Sequence, residues 1–424
     1  MMKKYLLINL IALSPLLTHA DWPRFLGPDA KASINNNDIP LTWSSSENLA
    51  WSIDLPGAGN SSPVVFGNDL FITCYSGYGL DRRTPGNPEK LVRHLLRINA
   101  KTGKIIWNRI VPTAESEDVY SGYITEHGYA SNTPVTDGKH VFVNHGKSGV
   151  YAYDLAGNER WNKSIGSQSS TKRWGSAASP ILYKNMVIVN ASEESNALYA
   201  FDKITGNEVW KSEASKLYLA YGTPRIIRLP DGRDELLLAV PTEVWGMNPD
   251  TGKLRWLCES PFGGNISPSV VYGDGVCFAY GGFPKKGSIA VKVGGQRDVT
   301  ETRLWVSDRT PYVSTPVYHD GKLYWVTRDG FAECQDAKTG DTIYKARLES
   351  EVSAPRFYAS PILINNHIVM TSRNAGTFVY KTGDTFIQTS QNLLDDDSEF
   401  NGTPAITKNM IYLRSNKKLY AIGK

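Results

Sequence analysis

Long helical patterns are missing from this 424-residue chain. Apolar residues do not recur three and four apart over any extended stretch, which excludes a helix-rich fold. Cysteine is scarce. Cys74, Cys258, Cys277 and Cys334 form no Cys-x-x-Cys pair, which argues against a structural zinc site. Cys258 and Cys277 fall near neighbouring units and could pair in an oxidising compartment; buried free thiols are the other reading. The histidines are scattered, with no His-x-His or HExxH, so no metal site is expected. No glycine-rich phosphate loop follows a strand and opens a helix, which leaves nucleotide binding without support. Charged residues make up only 21%, with a net charge of +4. A balance that small speaks against bulk nucleic-acid binding.

No apolar run is long enough to span a membrane comfortably. The longest, Tyr5–Leu17, follows Lys3 and Lys4 and precedes Thr18-His19-Ala20. That order reads as a signal peptide over 1–20, cleaved near Ala20. No Cys follows the cleavage point, so no lipid anchor is indicated. The expectation is an exported protein, periplasmic or secreted and soluble after cleavage, acting as a monomer.

What the chain has in quantity is Gly (37), Tyr (22) and Trp (11). They are periodic. Phe201–Trp210 reads Phe-Asp-Lys-Ile-Thr-Gly-Asn-Glu-Val-Trp, Asn99–Trp107 reads Asn-Ala-Lys-Thr-Gly-Lys-Ile-Ile-Trp, and Asn248–Trp256 follows the same pattern. Shorter or weaker copies lie at Asp154–Trp161, Asp336–Tyr344 and Tyr380–Ile387. Asp or Asn ahead of Thr-Gly caps a tight turn, and Gly takes its positive-φ position. The Trp series at 51, 107, 161, 210, 256 and 305 then packs each unit on the next.

A second marker sets the period. Ser-Pro or Thr-Pro recurs at 62, 133, 179, 223, 267, 315, 360 and 403. Each begins a strand, where a missing N–H is tolerated. Four short strands per copy is the unit of a propeller blade. The reading is an all-β, eight-bladed β-propeller of four-stranded antiparallel blades, one domain over 21–424. The last copy lacks a fourth strand and Leu49–Ile53 is surplus, so the N-terminal strand is expected to complete blade eight and close the ring. Residues 21–46 are read as an irregular segment running over the surface.

These repeats resemble the pyrroloquinoline-quinone-repeat propeller family, whose blades carry Asp-x-x-Thr-Gly-x-x-x-x-Trp. The resemblance covers almost the whole chain after residue 20. Asp21-Trp22-Pro23-Arg24-Phe25-Leu26-Gly27-Pro28 is similar to the opening of secreted members. The family includes quinoprotein alcohol dehydrogenases and the scaffold lipoprotein of outer-membrane β-barrel assembly. The resemblance therefore implies either a scaffold or an oxidoreductase binding pyrroloquinoline quinone and calcium in its central funnel, stacked on an aromatic such as Trp174. Adjacent cysteines and calcium ligands of the dehydrogenase kind cannot be placed on this sequence.

The longest loops, 75–93, 112–132 and 165–178, fall on one face and in neighbouring blades. Loops clustered on one face of a scaffold are where binding resides. The leading expectation is a non-catalytic binding scaffold that holds a protein or carbohydrate partner there, with no cofactor. Candidate ligand-binding residues at the channel mouth are His127, Tyr129, Arg173, Trp174, Tyr221, Glu243, Arg328, Arg356 and Tyr358. A polysaccharide-active enzyme using His127, Arg173 and Tyr129 or Tyr221 is a further alternative. Asp395–Glu399 is an acidic run without the spacing of a calcium loop.

Overall fold

The Thr-Gly segments are tight turns for the reason their residue types suggest. The Asp202 carboxylate accepts from the N–H groups of Ile204 (3.0 Å) and Thr205 (2.8 Å) and from the Thr205 hydroxyl (3.0 Å), and Gly206 sits at φ 72°. Asn99 and Asp336 cap their turns in the same way. The side chain satisfies donors that the reversing backbone would otherwise leave unpaired.

The computed structural model describes residues 21–36, 38–114 and 117–424. The leader expected over 1–20 lies outside them. Eight sheets, each containing four antiparallel strands, follow one another along the described residues. Blade 3 is representative, with Ile181–Tyr183 innermost, then Met186–Ala191, Ala197–Asp202 and Glu208–Glu213. The chain is an eight-bladed β-propeller. Leu49–Asp54 pairs antiparallel with Lys418–Gly423 and forms the outer strand of blade 8, as the repeat count requires. Closure pairs the edge of Lys418–Gly423 that would otherwise stand open in blade 8.

The tryptophans join blade to blade. Five outer-strand indoles reach the turn of the next blade and donate to a carbonyl there. The bonds run from Trp51 to Ala100 (3.2 Å), Trp107 to Leu155 (2.9 Å), Trp161 to Lys203 (3.0 Å), Trp210 to Pro249 (3.0 Å) and Trp305 to Ala337 (2.9 Å). The turn glycine makes room for the indole. A Cβ on Gly206 would lie 2.7 Å from Trp161.

Blade 5 breaks this series. Its long turn sends Arg297–Asp298 back to pair in parallel with the outer strand of blade 4. That insertion takes the place of the acceptor, and the Trp256 indole is fully buried with its N–H unpaired.

Seven inter-blade seams are laced near the axis by one repeated bond. The backbone N–H of each marker Ser or Thr donates to the hydroxyl of the next. The series is Ser62 to Thr133, Thr133 to Ser179, Ser179 to Thr223, Thr223 to Ser269, Ser269 to Thr315, Thr315 to Ser360 and Ser360 to Thr403, all at 2.9–3.0 Å. Blade 5 enters through Ser269, so the sequence marker Ser267 is two residues out of register there. At the seam between blades 8 and 1, the buried Arg414 guanidinium donates instead to the Thr73 carbonyl (2.8 Å) and the Ser61 hydroxyl (3.2 Å).

Residues 21–46 depart from the surface path expected of them. Trp22, Leu26, Ala30, Ala32, Ile39 and Trp43 are all buried. Trp22 pairs with Val65 of blade 1, Thr136 of blade 2 donates to the Pro23 carbonyl, and Arg225 of blade 4 donates to that of Asp29. Ser33–Ile34 then adds in parallel to the innermost strand of blade 7. The segment crosses the channel and plugs it at the end away from the long loops. Its apolar residues, read as irregular because they lack the repeat's period, fill the hole that the repeat leaves on its axis.

Candidate functional site

A cavity of about 210 Å³ lies on the axis at the loop-rich end. Its lower wall is the Ser/Thr ring. The residue two positions before each ring member also faces inward, because side chains alternate along an extended strand. These are Asn60, Ser131, Ala177 and Tyr221 in the first four blades and Ser267, Val313, Tyr358 and Asn401 in the rest. Phe25 of the plug reaches the cavity from below, and Tyr123, Glu126, His127, Trp174, Asn265 and Tyr312 enter from the loops.

Two of the long loops, 75–93 and 112–132, pack on one another through Tyr75, Tyr78, Leu91, Ile124, Tyr129 and Ala130. From this base the segment 117–132 extends over the axis. Tyr312, from the connection between blades 5 and 6, donates to the Tyr123 hydroxyl at 3.0 Å. Tyr123 lies between blades 1 and 2, so the pair spans the mouth from diametrically opposite seams. Arg373 of blade 7 binds Glu126 and also Glu399 (2.7 Å), while Arg82 binds Glu126 from blade 1. Burial pushes the Glu126 carboxyl up, but the two arginines together hold it below the ordinary value. Trp174 packs edge-on against Tyr123 (4.5 Å) and stacks with Tyr221 (6.2 Å).

Of the sequence candidates, His127, Trp174, Tyr221 and Tyr358 line the cavity. The other five do not. The Tyr129 hydroxyl donates to the Asp118 carbonyl at 2.8 Å inside the loop base. Arg173 and Arg356 are exposed. Glu243 accepts from the Trp245 indole at 2.7 Å and pairs with Lys216. Arg328 lies over the Tyr312 ring at 5.8 Å and pairs with Asp329. Phe25 and Tyr123 also line the cavity and were not expected there, because neither the plug nor the 117–132 loop carries the repeat that would place them.

His127 is held at both ring nitrogens, by the Ser131 hydroxyl (2.8 Å) and by the Trp174 carbonyl (2.6 Å). Burial lowers its pKa, so it is a neutral strut between two loops. Since Arg173 and Tyr129 are elsewhere, the set expected for a polysaccharide-active enzyme is not assembled.

A second cavity of about 20 Å³ adjoins the first between blades 1, 2 and 3. Arg93 pairs with Glu117 and Lys147 with Asp118 (2.8 Å), all four out of solvent. Glu193 accepts from the Ser170 N–H and hydroxyl (2.9 Å each) and from Tyr221 (3.1 Å). Its neighbour Glu194 has one carboxylate oxygen with no partner. Burial lifts the Glu194 pKa to about 7 in spite of a hydrogen bond from Ser176. Burial, with Arg93 nearby, lowers that of His145 to about 3.

A family model described as outer membrane protein assembly factor BamB matches residues 92–281. That span contains the Thr-Gly turns at Thr102, Thr205 and Thr251 and the tryptophans Trp107, Trp161, Trp210 and Trp256. The match spans less than half of the chain, which in that part is similar to the pyrroloquinoline-quinone-repeat β-propellers. Among solved structures, this propeller is similar to BamB from Moraxella catarrhalis, at 12% identity and a TM-score of 0.60, over 89% of this chain and 99% of that one. It is similar to a europium-containing methanol dehydrogenase at 12% identity and 0.52, over 86% and 90%. The computationally designed Ika8 protein matches at 11% and 0.55, over 88% and 98%. At such identities these likenesses establish the fold alone. No curated protein sequence matches the chain.

The family's quinone and calcium can be tested against the residues present. Trp174 and Tyr221 offer flat faces, but all four cysteines are free and buried within blades. Among the described residues no three His, Cys, Asp or Glu side chains gather to hold a cation. Glu126, the carboxylate on the cavity wall, is already held by two arginines. This donor set does not fit quinone with calcium. Among the described residues no helix is long and apolar enough to cross a membrane.

Proposed function

We propose that the protein is an exported, non-catalytic binding propeller that seats a protein or carbohydrate partner on its loop-rich face as a monomer, with the central cavity as the point of recognition. The observation that carries this reading is where the additions to the repeat lie. The three long loops build a cover over one cavity, and the N-terminal segment supplies its floor. A scaffold that needed only blades would need neither.

In this reading Trp174 and the tyrosines present apolar faces, the amides and ring hydroxyls fix orientation, and the Tyr123–Tyr312 bar restricts entry. One hydrogen bond between neutral groups contributes about 0.5–1.5 kcal/mol, so the bar opens readily.

The test is site-specific photo-crosslinking in the producing cell. A label at Arg173 on the rim is compared with one at Lys338, an exposed residue in a turn on the opposite face. Partner adducts should form from Arg173, not from Lys338, and should vanish when Trp174→Arg fills the cavity. Equal adducts from both faces, or no response to Trp174→Arg, refute the reading. Dye reduction that depends on added pyrroloquinoline quinone would overturn its non-catalytic part.

A further inference from the structure

We infer that the central cavity recognises a single neutral sugar ring, clasped between aromatic faces and held at its edge by the amides of Asn265 and Asn401. This rests on the cavity being the recognition point of a binding propeller, and it specifies the ligand.

The first observation is charge. The acidic group on the cavity wall is Glu126, and Arg82 and Arg373 neutralise it at the rim. Arg173, Arg328 and Arg356 do not reach the cavity wall. An anionic ligand would enter with no cation waiting for it, and a cation would find its one carboxylate engaged. A neutral ligand loses least on leaving water.

The second is the distribution of faces. The connections between blades place Tyr123, Trp174 and Tyr221 in one arc and Tyr312 and Tyr358 in the opposing one. Asn265 lies between the arcs on one side, and Asn401 on the other. A saturated ring with hydroxyls around its equator has the matching shape. Its C–H faces pack on aromatic faces while its hydroxyls point to the poles.

The third is unmet hydrogen bonding. Asn265 is 4% exposed and Asn401 is 8% exposed, and the side-chain oxygen of each has no partner. Buried amides are almost always paired, and hydroxyl donors from a ligand would pair these two. The Ser/Thr ring below adds the complementary set. The seven hydroxyls from Thr133 to Thr403 each accept a backbone N–H, which leaves the hydroxyl hydrogen to give. A volume of about 210 Å³ is below the range of drug-sized pockets, which suits one ring rather than an oligosaccharide chain.

The experiment is titration of the full chain with the methyl glycosides of glucose, galactose, mannose and N-acetylglucosamine, and with methyl glucuronide, read by tryptophan fluorescence and calorimetry. At least one neutral glycoside should bind saturably and more tightly than the glucuronide. Trp174→Ala should abolish binding. The pair Asn265→Leu and Asn401→Leu should weaken it about tenfold, the loss of one or two neutral hydrogen bonds, with an unchanged unfolding midpoint. If that pair does not fold, Asn265→Ser alone should weaken binding several-fold. Tighter binding of the glucuronide overturns the neutral assignment. If no glycoside binds while rim crosslinking still depends on Trp174, the sugar assignment falls and the binding face stands. If neither is seen, both fall.

Discussion

Glu194→Gln should make the protein more stable above pH 7 and change little at pH 4.5. Glu194 is 1% exposed, on a single helical turn after the second strand of blade 3. Burial raises its carboxyl from 4.5 to about 7. The folded state therefore keeps a proton that the unfolded chain releases. The stability this contributes is complete below pH 4.5, declines as pH rises, and is lost once pH passes about 7. At 1.36 kcal/mol per pH unit, the ionised carboxylate costs the fold about 3 kcal/mol. His145 works in the opposite sense. Its pKa is depressed from 6.5 to about 3, so its contribution is present above pH 6.5 and lost as pH falls towards 3. Wild type should thus have a broad maximum, falling on both sides. Glu194→Gln should remove the alkaline fall and leave the acid one. Urea unfolding from pH 4.5 to 8.5 measures this directly. A difference between the two proteins that does not grow with pH, or stays under about 1 kcal/mol at pH 8.5, would refute the assignment of Glu194 as the group responsible.

Trp210→Phe should destabilise by about 1 kcal/mol more than Trp256→Phe in urea unfolding, because only the first removes an indole hydrogen bond. Arg414→Ala should cost about 3 kcal/mol or more, leaving two blade acceptors and a void at one seam. Thr315→Val, which cuts one ring link at another seam, should cost about 1–2 kcal/mol by the same assay. Tyr312→Phe should shift stability by less than about 1.5 kcal/mol while making Trp174 more accessible to acrylamide quenching, since the bar across the mouth loses its donor.

Much of the fold was legible because repetition makes local signals redundant. Asp202 and Thr205 specify a turn, and the copies at 99, 248 and 336 confirm it. The ring closure followed from one missing strand at the C-terminus and one spare at Leu49–Ile53. The fifth marker misled because Ser267 and Ser269 flank the same proline, and only the inter-blade bond shows which enters the ring. Residues 21–46 were misplaced for the opposite reason. They carry no period, so nothing local shows that Trp22 and Phe25 belong on the axis. The cavity wall was half visible. The Ser/Thr-Pro markers placed Tyr221 and Tyr358 at the channel mouth, but Tyr123 arrives from a non-repeating loop whose path only tertiary packing determines.

The outer strand of blade 8 carries a consequence for how the chain is made. Asp54 and Lys418, which meet in it, are 364 residues apart. Blades 1 to 7 can each assemble as they are synthesised, but Leu49–Asp54 has no partner until Lys418–Gly423 has been made. Losing either of these two strands would open the same blade. The ring behaves as a clasp whose two halves are delivered far apart in time. Its completion reports that the entire polypeptide between them is present, and a prematurely ended chain is left with an open edge that quality-control proteases can recognise.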